Sequence, residues 1–130
     1  MKQFQVIVIG GGSAGYAGAR TFFDEGQRRI AIVDGANTLG GLCILRGCMP
    51  SKTLLYSAET LHLAGQGDVF GFDKVKLKPD MTLMQQRKKE IISDFAQYRT
   101  QQLEDDRFSL YRSGARFLDE STIELTDGRK

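Results

Sequence analysis

Two thiols close enough to join and part again stand in the run Gly40-Gly41-Leu42-Cys43-Ile44-Leu45-Arg46-Gly47-Cys48-Met49-Pro50-Ser51-Lys52. Cys43 and Cys48 are the only cysteines in 130 residues, and four residues separate them. Such a pair can lose two electrons to form a disulfide and regain them. A purely structural bridge explains the spacing poorly, because closing so short a loop stabilises by only about 2 kcal/mol in the chain-entropy model. Two free thiols filling a core is the other bland possibility. Against it, Gly40, Gly41, Gly47 and Pro50 make the surrounding backbone irregular and constrained. A metal site is not expected, since two cysteines without a suitably placed histidine are not a ligand set. The only histidine, His62, falls in the middle of an expected helix and reads as an ordinary surface or core residue.

Geometry divides the two thiols. Residues five apart in a regular α-helix have Cα atoms roughly 8–9 Å apart, whereas a disulfide needs less than about 7 Å. Cys43 is therefore expected in a loop or distorted turn and Cys48 at a helix start, with Gly47 supplying the bend. Pro50 suits the first turn of that helix, which should run to about Ala64. The helix macrodipole is expected to lower the pKa of Cys48, leaving Cys43 to meet an external disulfide. Lys52 lies one turn beyond Cys48 on the same face, where it can stabilise a thiolate or a negative charge on a reduced cofactor. A lysine at a helix start opposes the dipole, so a partner for it is expected.

A second motif lies upstream. Gly10-x-Gly12-x-x-Gly15 falls between an apolar β-branched run, Phe4 to Ile9, and an expected helix, Ala14 to Glu25, with Gly26 as its stop. That context suits a dinucleotide turn. Gly10 permits the tight exit from the strand, Gly12 a close backbone approach to a pyrophosphate, and Gly15 close packing of helix on strand. The helix start offers free N–H groups to phosphates. Asp34 closes the next strand, Arg29 to Val33, where a carboxylate can accept hydrogen bonds from ribose hydroxyls. A structural glycine turn is the alternative, and the pattern alone does not separate FAD from NAD. A dithiol one βαβ step from such a turn points to electron transfer between a flavin and a disulfide.

The remaining elements must hold these two segments together. Gly35 to Gly47 reads as loop, and Gly65-Gln66-Gly67 as a break. A longer helix should start near Pro79 or Asp80 and reach about Asp105, burying a stripe of Met84, Ile91, Ile92, Phe95, Tyr98 and Leu103. Arg87-Lys88-Lys89 lies largely off that stripe and reads as a solvated face. Phe108 to Arg112, Ala115 to Leu118 and Thr122 to Thr126 read as strands before the turn Asp127-Gly128. The pattern is α/β: a Rossmann-like parallel sheet with helices, plus a small β-meander. At 41% hydrophobic and 26% charged residues this is a single domain with a real core. A net charge of +2 argues against a nucleic-acid partner, and no run approaches the ~18 apolar residues of a membrane span. With no signal peptide legible, a cytoplasmic location is expected. The chain stops just past a turn signal, which reads as the N-terminal part of a dinucleotide-binding domain.

Together, the glycine turn, the strand-end acid and Gly-Gly-x-Cys-x-x-x-x-Cys-x-Pro-Ser-Lys resemble the pyridine nucleotide–disulfide oxidoreductases with paired redox cysteines. The Pro-Ser-Lys ending is most similar to the dihydrolipoamide dehydrogenase and mercuric reductase branches. The resemblance implies FAD as cofactor. Gly10, Gly12, Ser13, Ala14 and Gly15 would hold it at the pyrophosphate, Asp34 at the ribose, and Gly114-Ala115 at the adenine, with Gly41 a further cofactor-binding residue. It implies Cys48 as the flavin-facing thiol, Cys43 as the interchange thiol, and Lys52 as partner of the flavin ring. The family commonly has Thr where Leu42 stands, Asn where Leu45 stands, and Glu where Asp34 stands. Its members are several times longer, adding an NAD- or NADP-binding domain and a dimerisation domain. The implied whole is a homodimer acting on a small-molecule or protein-bound disulfide, with no turnover expected from these 130 residues alone. A non-catalytic dinucleotide-binding or redox-sensing module is the alternative.

Overall fold

The computed structural model describes residues 1–73 and 76–130. Three short strands form a wholly parallel sheet: β1 (Val6–Ile9), β2 (Ile30–Val33) and β3 (Ser109–Tyr111), with β2 in the centre. Val6 lies opposite Ile30, and Ala31 opposite Ser109. The first crossover is α1 (Ser13–Asp24). The second is long and carries α2 (Gly41–Leu45), α3 (Cys48–Gly65), a single 3₁₀ turn (Gly67–Phe70) and α4 (Met81–Leu103). A separate antiparallel hairpin, β4 (Ala115–Phe117) and β5 (Ile123–Leu125), follows. Among the described residues no helix is long and apolar enough to cross a membrane.

The central strand explains why its sequence is continuously apolar. Both faces of β2 are covered, and all four residues, Ile30 to Val33, are buried. On one face Ile30 and Ile32 pack with Tyr16 and Ala19 of α1, Leu39, Leu103 of α4 and Phe108. On the other, Ala31 and Val33 line a cavity of about 640 Å³ whose far wall is the hairpin at Ile123 and Leu125. Helix α1 ends where the chain turns at Gly26, φ +95°. The N–H groups of Gly26 and Gln27 there satisfy the carbonyls of Phe23 and Phe22.

Three expectations need correction. Gly35 to Gly47 is not all loop, because α2 forms inside it; a helix of one turn has too few residues to show periodicity. The last three strands do not make one meander. The Phe108–Arg112 segment joins the parallel sheet as β3, and only β4 and β5 pair antiparallel. The buried stripe of α4 keeps only part of the expected one: Leu103 is buried and Met84, Ile91 and Ile92 are half-buried, but Phe95 and Tyr98 are not in it. Ala96 and Leu103 are its buried residues, whereas Phe95 and Tyr98 are 43% and 60% exposed. Arg99 and Thr100 share the inward face, half-buried. Asp80 caps the helix, its Oδ1 accepting from the N–H groups of Thr82 and Leu83.

Two glycines three residues apart in α1 should behave oppositely. A Cβ on Gly15 would lie 1.8 Å from the carbonyl oxygen of Gly10, backbone against backbone, while one on Gly18 would meet nothing within 4 Å. Gly18→Ala should therefore raise stability in urea by about 0.5–1 kcal/mol. Gly15→Ala should lose about 4 kcal/mol or more. Equal effects would show that helix and strand are not in this contact.

Candidate functional site

The glycine turn is built as the fingerprint requires. Gly10 takes φ +101°, a conformation L side chains rarely adopt. Its N–H donates to the Val33 carbonyl at 2.7 Å, which closes the turn onto β2. Gly12 caps α1 without any side-chain hydrogen bond. The first-turn N–H groups, including those of Ser13, Ala14 and Gly15, have no intrahelical acceptor and remain available to an anion.

Asp34 is more committed than the sequence suggests. Its Oδ2 accepts the Gly11 N–H at 2.7 Å and its Oδ1 the Ala36 N–H at 2.8 Å. The carboxylate thus ties the end of β2 to the middle of the glycine turn. Each oxygen keeps a second acceptor site for a ribose hydroxyl. Gly11 matters although the spacing pattern leaves its position free. A Cβ there would lie 2.8 Å from Leu103 Cδ1 and 3.1 Å from Asp34 Oδ2. Nearby, Gly35 abuts Gly114, where a Cβ on Gly35 would stand 2.7 Å from the Gly114 nitrogen. That contact brings Ala115, the first residue of β4, to the same end of the sheet as Asp34.

The cysteine segment reaches the turn through backbone alone. Gly41 has φ +70°, and a Cβ on it would lie 2.6 Å from Gly12 Cα. The second glycine pair is therefore pressed directly against the first. From this contact α2 carries Cys43, half-buried, and α3 starts at Cys48, which is exposed. The helix breaks between them at Arg46 (φ −140°) and Gly47 (φ −123°). A break was expected, but Cys43 sits on a helical turn and not in loop. The broken path sets the two thiols near enough for Cys43 to influence the titration of Cys48.

That closeness reverses one expectation. The Cys48 pKa is raised, chiefly by its hydrogen bond with Cys43, then by desolvation and by the charge of Cys43. The backbone at the helix start and the Lys52 ammonium act in the opposite, lowering direction and are outweighed. The macrodipole argument considered Cys48 alone, whereas two adjacent thiols titrate as a pair. Lys52 is exposed and one helical turn along α3 from Cys48. His62 is exposed and lies 3.0 Å from the Gln66 side-chain nitrogen, away from these groups.

Arg99, which the sequence reading does not single out, contacts the turn directly. Its Nη1 donates to the Gly12 carbonyl at 3.1 Å, and its guanidinium carbon lies 4.6 Å from the Tyr16 ring centroid. Its spacing was the available signal, three residues after Ala96 and four before Leu103. Arg112 clamps the loop after Asp34, with Nη2 donating to the carbonyls of Ala36 and Asn37 at 2.9 Å each.

The features fit a dinucleotide carrying a diphosphate. Two glycine backbones meet where a side chain on Gly41 would intrude, uncapped N–H groups lie beside them, and a carboxylate stands at the strand end. The fold is an α/β one of the dinucleotide-binding kind, with a pair of free thiols following the glycine turn. Residues 4–124 match the family described as pyridine nucleotide-disulphide oxidoreductase, and the chain belongs to that family. It is 42% identical over 90 residues to dihydrolipoyl dehydrogenase 3 of Pseudomonas putida, covering 69% of this chain and 19% of the relative. It is 34% identical over 120 residues to a dihydrolipoyl dehydrogenase of Bacillus subtilis, covering 91% and 26%. With the mercuric reductase of Lysinibacillus sphaericus the identity is 29% over 127 residues, covering 97% and 23%. Among solved structures it is similar to the Cu(II) complex of the HOCl-induced flavoprotein disulfide reductase RclA from Escherichia coli. There the TM-score is 0.72 and the identity 26%, covering 93% of this chain and 24% of that one. The chain thus spans 19–26% of the length of these relatives.

The titration argument gives a paired test. Removing the Cys43 partner with Cys43→Ala should move the pH profile of Cys48 alkylation by iodoacetamide to lower pH. Lys52→Met should move it to higher pH, because a thiolate-stabilising cation is lost. Profiles that stay put in both variants would show that neither group acts on Cys48.

Proposed function

We propose that this chain forms the FAD-holding part of a flavin-dependent disulfide oxidoreductase in which Cys43 and Cys48 are the redox-active pair. The observation that carries this reading is the Gly12–Gly41 backbone contact, which sets the thiol segment against the turn suited to a dinucleotide. Gly10, Gly12, Ser13, Ala14, Gly15 and Gly41 would hold the diphosphate. Asp34 would hold the adenosine ribose, Ala115 would meet the adenine, and Lys52 would accompany the flavin ring. When bound, the flavin supplies two-electron transfer between the thiol pair and a nicotinamide, NADH or NADPH, in the whole protein.

The thiols perform the exchange themselves. Cys43 is the interchange thiol that the family resemblance implies, and hence the first nucleophile. The Cys43 thiolate attacks one sulfur of an external disulfide, forming a mixed disulfide and expelling one thiolate. Cys48, deprotonated beside Lys52, then attacks the Cys43 sulfur. The second thiolate leaves and a Cys43–Cys48 disulfide remains. Two electrons pass to the substrate, and the two protons of the dithiol end on the released thiols. Run backwards, the same steps oxidise a dithiol. The substrate is a small-molecule or protein-bound disulfide or dithiol, and the whole protein is proposed to work as a homodimer.

Anaerobic two-electron reduction of the full-length protein tests this. The purified protein should be yellow and should develop a long-wavelength thiolate–flavin absorbance. That band should vanish in Cys48→Ala and persist in Cys43→Ala. Bound flavin with no such band would favour a sensing or binding module. A colourless, FAD-indifferent protein would leave only a structural role.

A further inference from the structure

The two glycine segments that meet at the site carry almost no side-chain chemistry. Across Gly10 to Ala14 and Gly40 to Leu42, Ser13 is the only residue whose side chain can donate a hydrogen bond. None of these residues bears a formal charge. Two side chains from outside bond this turn: the Asp34 carboxylate at the Gly11 N–H, and a cation, Arg99, brought from 87 residues away.

The placement of Arg99 is unfavourable unless an anion is bound. The Gly12 carbonyl that accepts its Nη1 already accepts the Tyr16 N–H at 2.9 Å, so this bond is an addition to a satisfied helix. The guanidinium stands at the positive end of α1, where the macrodipole repels a cation. The ion pairs among the described residues do not include Arg99. Its Nε is shielded from solvent and has no hydrogen-bond partner among them, which leaves a desolvated donor uncompensated. Stacking on the buried Tyr16 ring fixes the group in place and supplies only part of that compensation.

We infer that Arg99 is an anion-binding residue of this site. Its guanidinium supplies the formal positive charge for the diphosphate of the dinucleotide at the Gly10–Gly15 turn. This rests on the reading that the turn holds such a diphosphate. A guanidinium presents five donors in a rigid fork suited to phosphate oxygens. Nη1 holds the turn through Gly12 and Nε is shielded, so the Nη2 donors are those left to meet the anion. The same contact keeps the Gly12 peptide oriented, so charge and cradle are set by one side chain.

Full-length wild type, Arg99→Gln and Arg99→Lys, each stripped of flavin, separate the possibilities. Two quantities are measured: melting temperature with and without inorganic pyrophosphate, and FAD affinity by flavin fluorescence at low and high salt. Stripped Arg99→Gln should melt at or above the wild-type temperature. Pyrophosphate should stabilise the wild type but not Arg99→Gln. FAD should bind Arg99→Gln roughly tenfold more weakly, as for loss of one charge-assisted hydrogen bond, and with a shallower salt dependence. Arg99→Lys should fall between the two. Unchanged FAD affinity in Arg99→Gln, or an equal loss of melting temperature with and without pyrophosphate, would make Arg99 a structural clamp and overturn the inference. Wild type stabilised by pyrophosphate in an Arg99-dependent way but blind to FAD would keep the anion site and sink the flavin reading. Wild type indifferent to both ligands would sink both.

Discussion

The approach of Gly41 to Gly12, backbone on backbone, is the constraint from which the rest of this site follows. Gly41 cannot carry a side chain there, because a Cβ would lie 2.6 Å from Gly12 Cα, and it also needs its left-handed conformation. Because the contact involves no side-chain linkage, it fixes the thiol segment to the start of α1 with little room to shift. Gly15 against Gly10 and Gly35 against Gly114 repeat the device at two other junctions. Three such approaches bring the strand end, the helix start, the cysteine turn and the hairpin to one end of the sheet.

Polar groups then secure what the glycines bring together. Asp34 binds the middle of the turn and the start of the following loop, Arg112 holds that loop to the end of β3, and Arg99 reaches the turn from α4. Leu103, fully buried, packs against Gly11 from the same helix. The long helix is therefore part of the site's architecture although it carries no motif. Its inward face holds a cation, Arg99, against the turn that Asp34 binds from the end of β2.

Much of this was legible because the decisive residues have few alternative uses. The glycine turn between an apolar strand and a helix, the acid ending β2 and the Gly-Gly-x-Cys-x-x-x-x-Cys segment each restrict the backbone strongly. They announced the parallel α/β core and the pairing of a dinucleotide turn with a dithiol. What escaped was tertiary. The single turn of α2 has no period to detect, and the direction of β3 depends on which strand it meets. The inward face of α4 is set by packing of the small Ala96 and of Leu103, against which the larger Phe95 and Tyr98 lose. The pKa of Cys48 turned on a neighbour whose distance spacing alone does not give.

The junction itself can be tested by adding one methyl group. In the full-length protein, Gly41→Ala places a Cβ into Gly12, whereas Gly65→Ala, at the end of α3, places one in open space. The account predicts at least about tenfold weaker FAD binding for Gly41→Ala, with the Cys48 alkylation profile displaced from wild type. Gly65→Ala should match wild type in both. Wild-type flavin affinity and thiol titration in Gly41→Ala would show that the cysteine segment does not depend on this contact, and would contradict the account at its base.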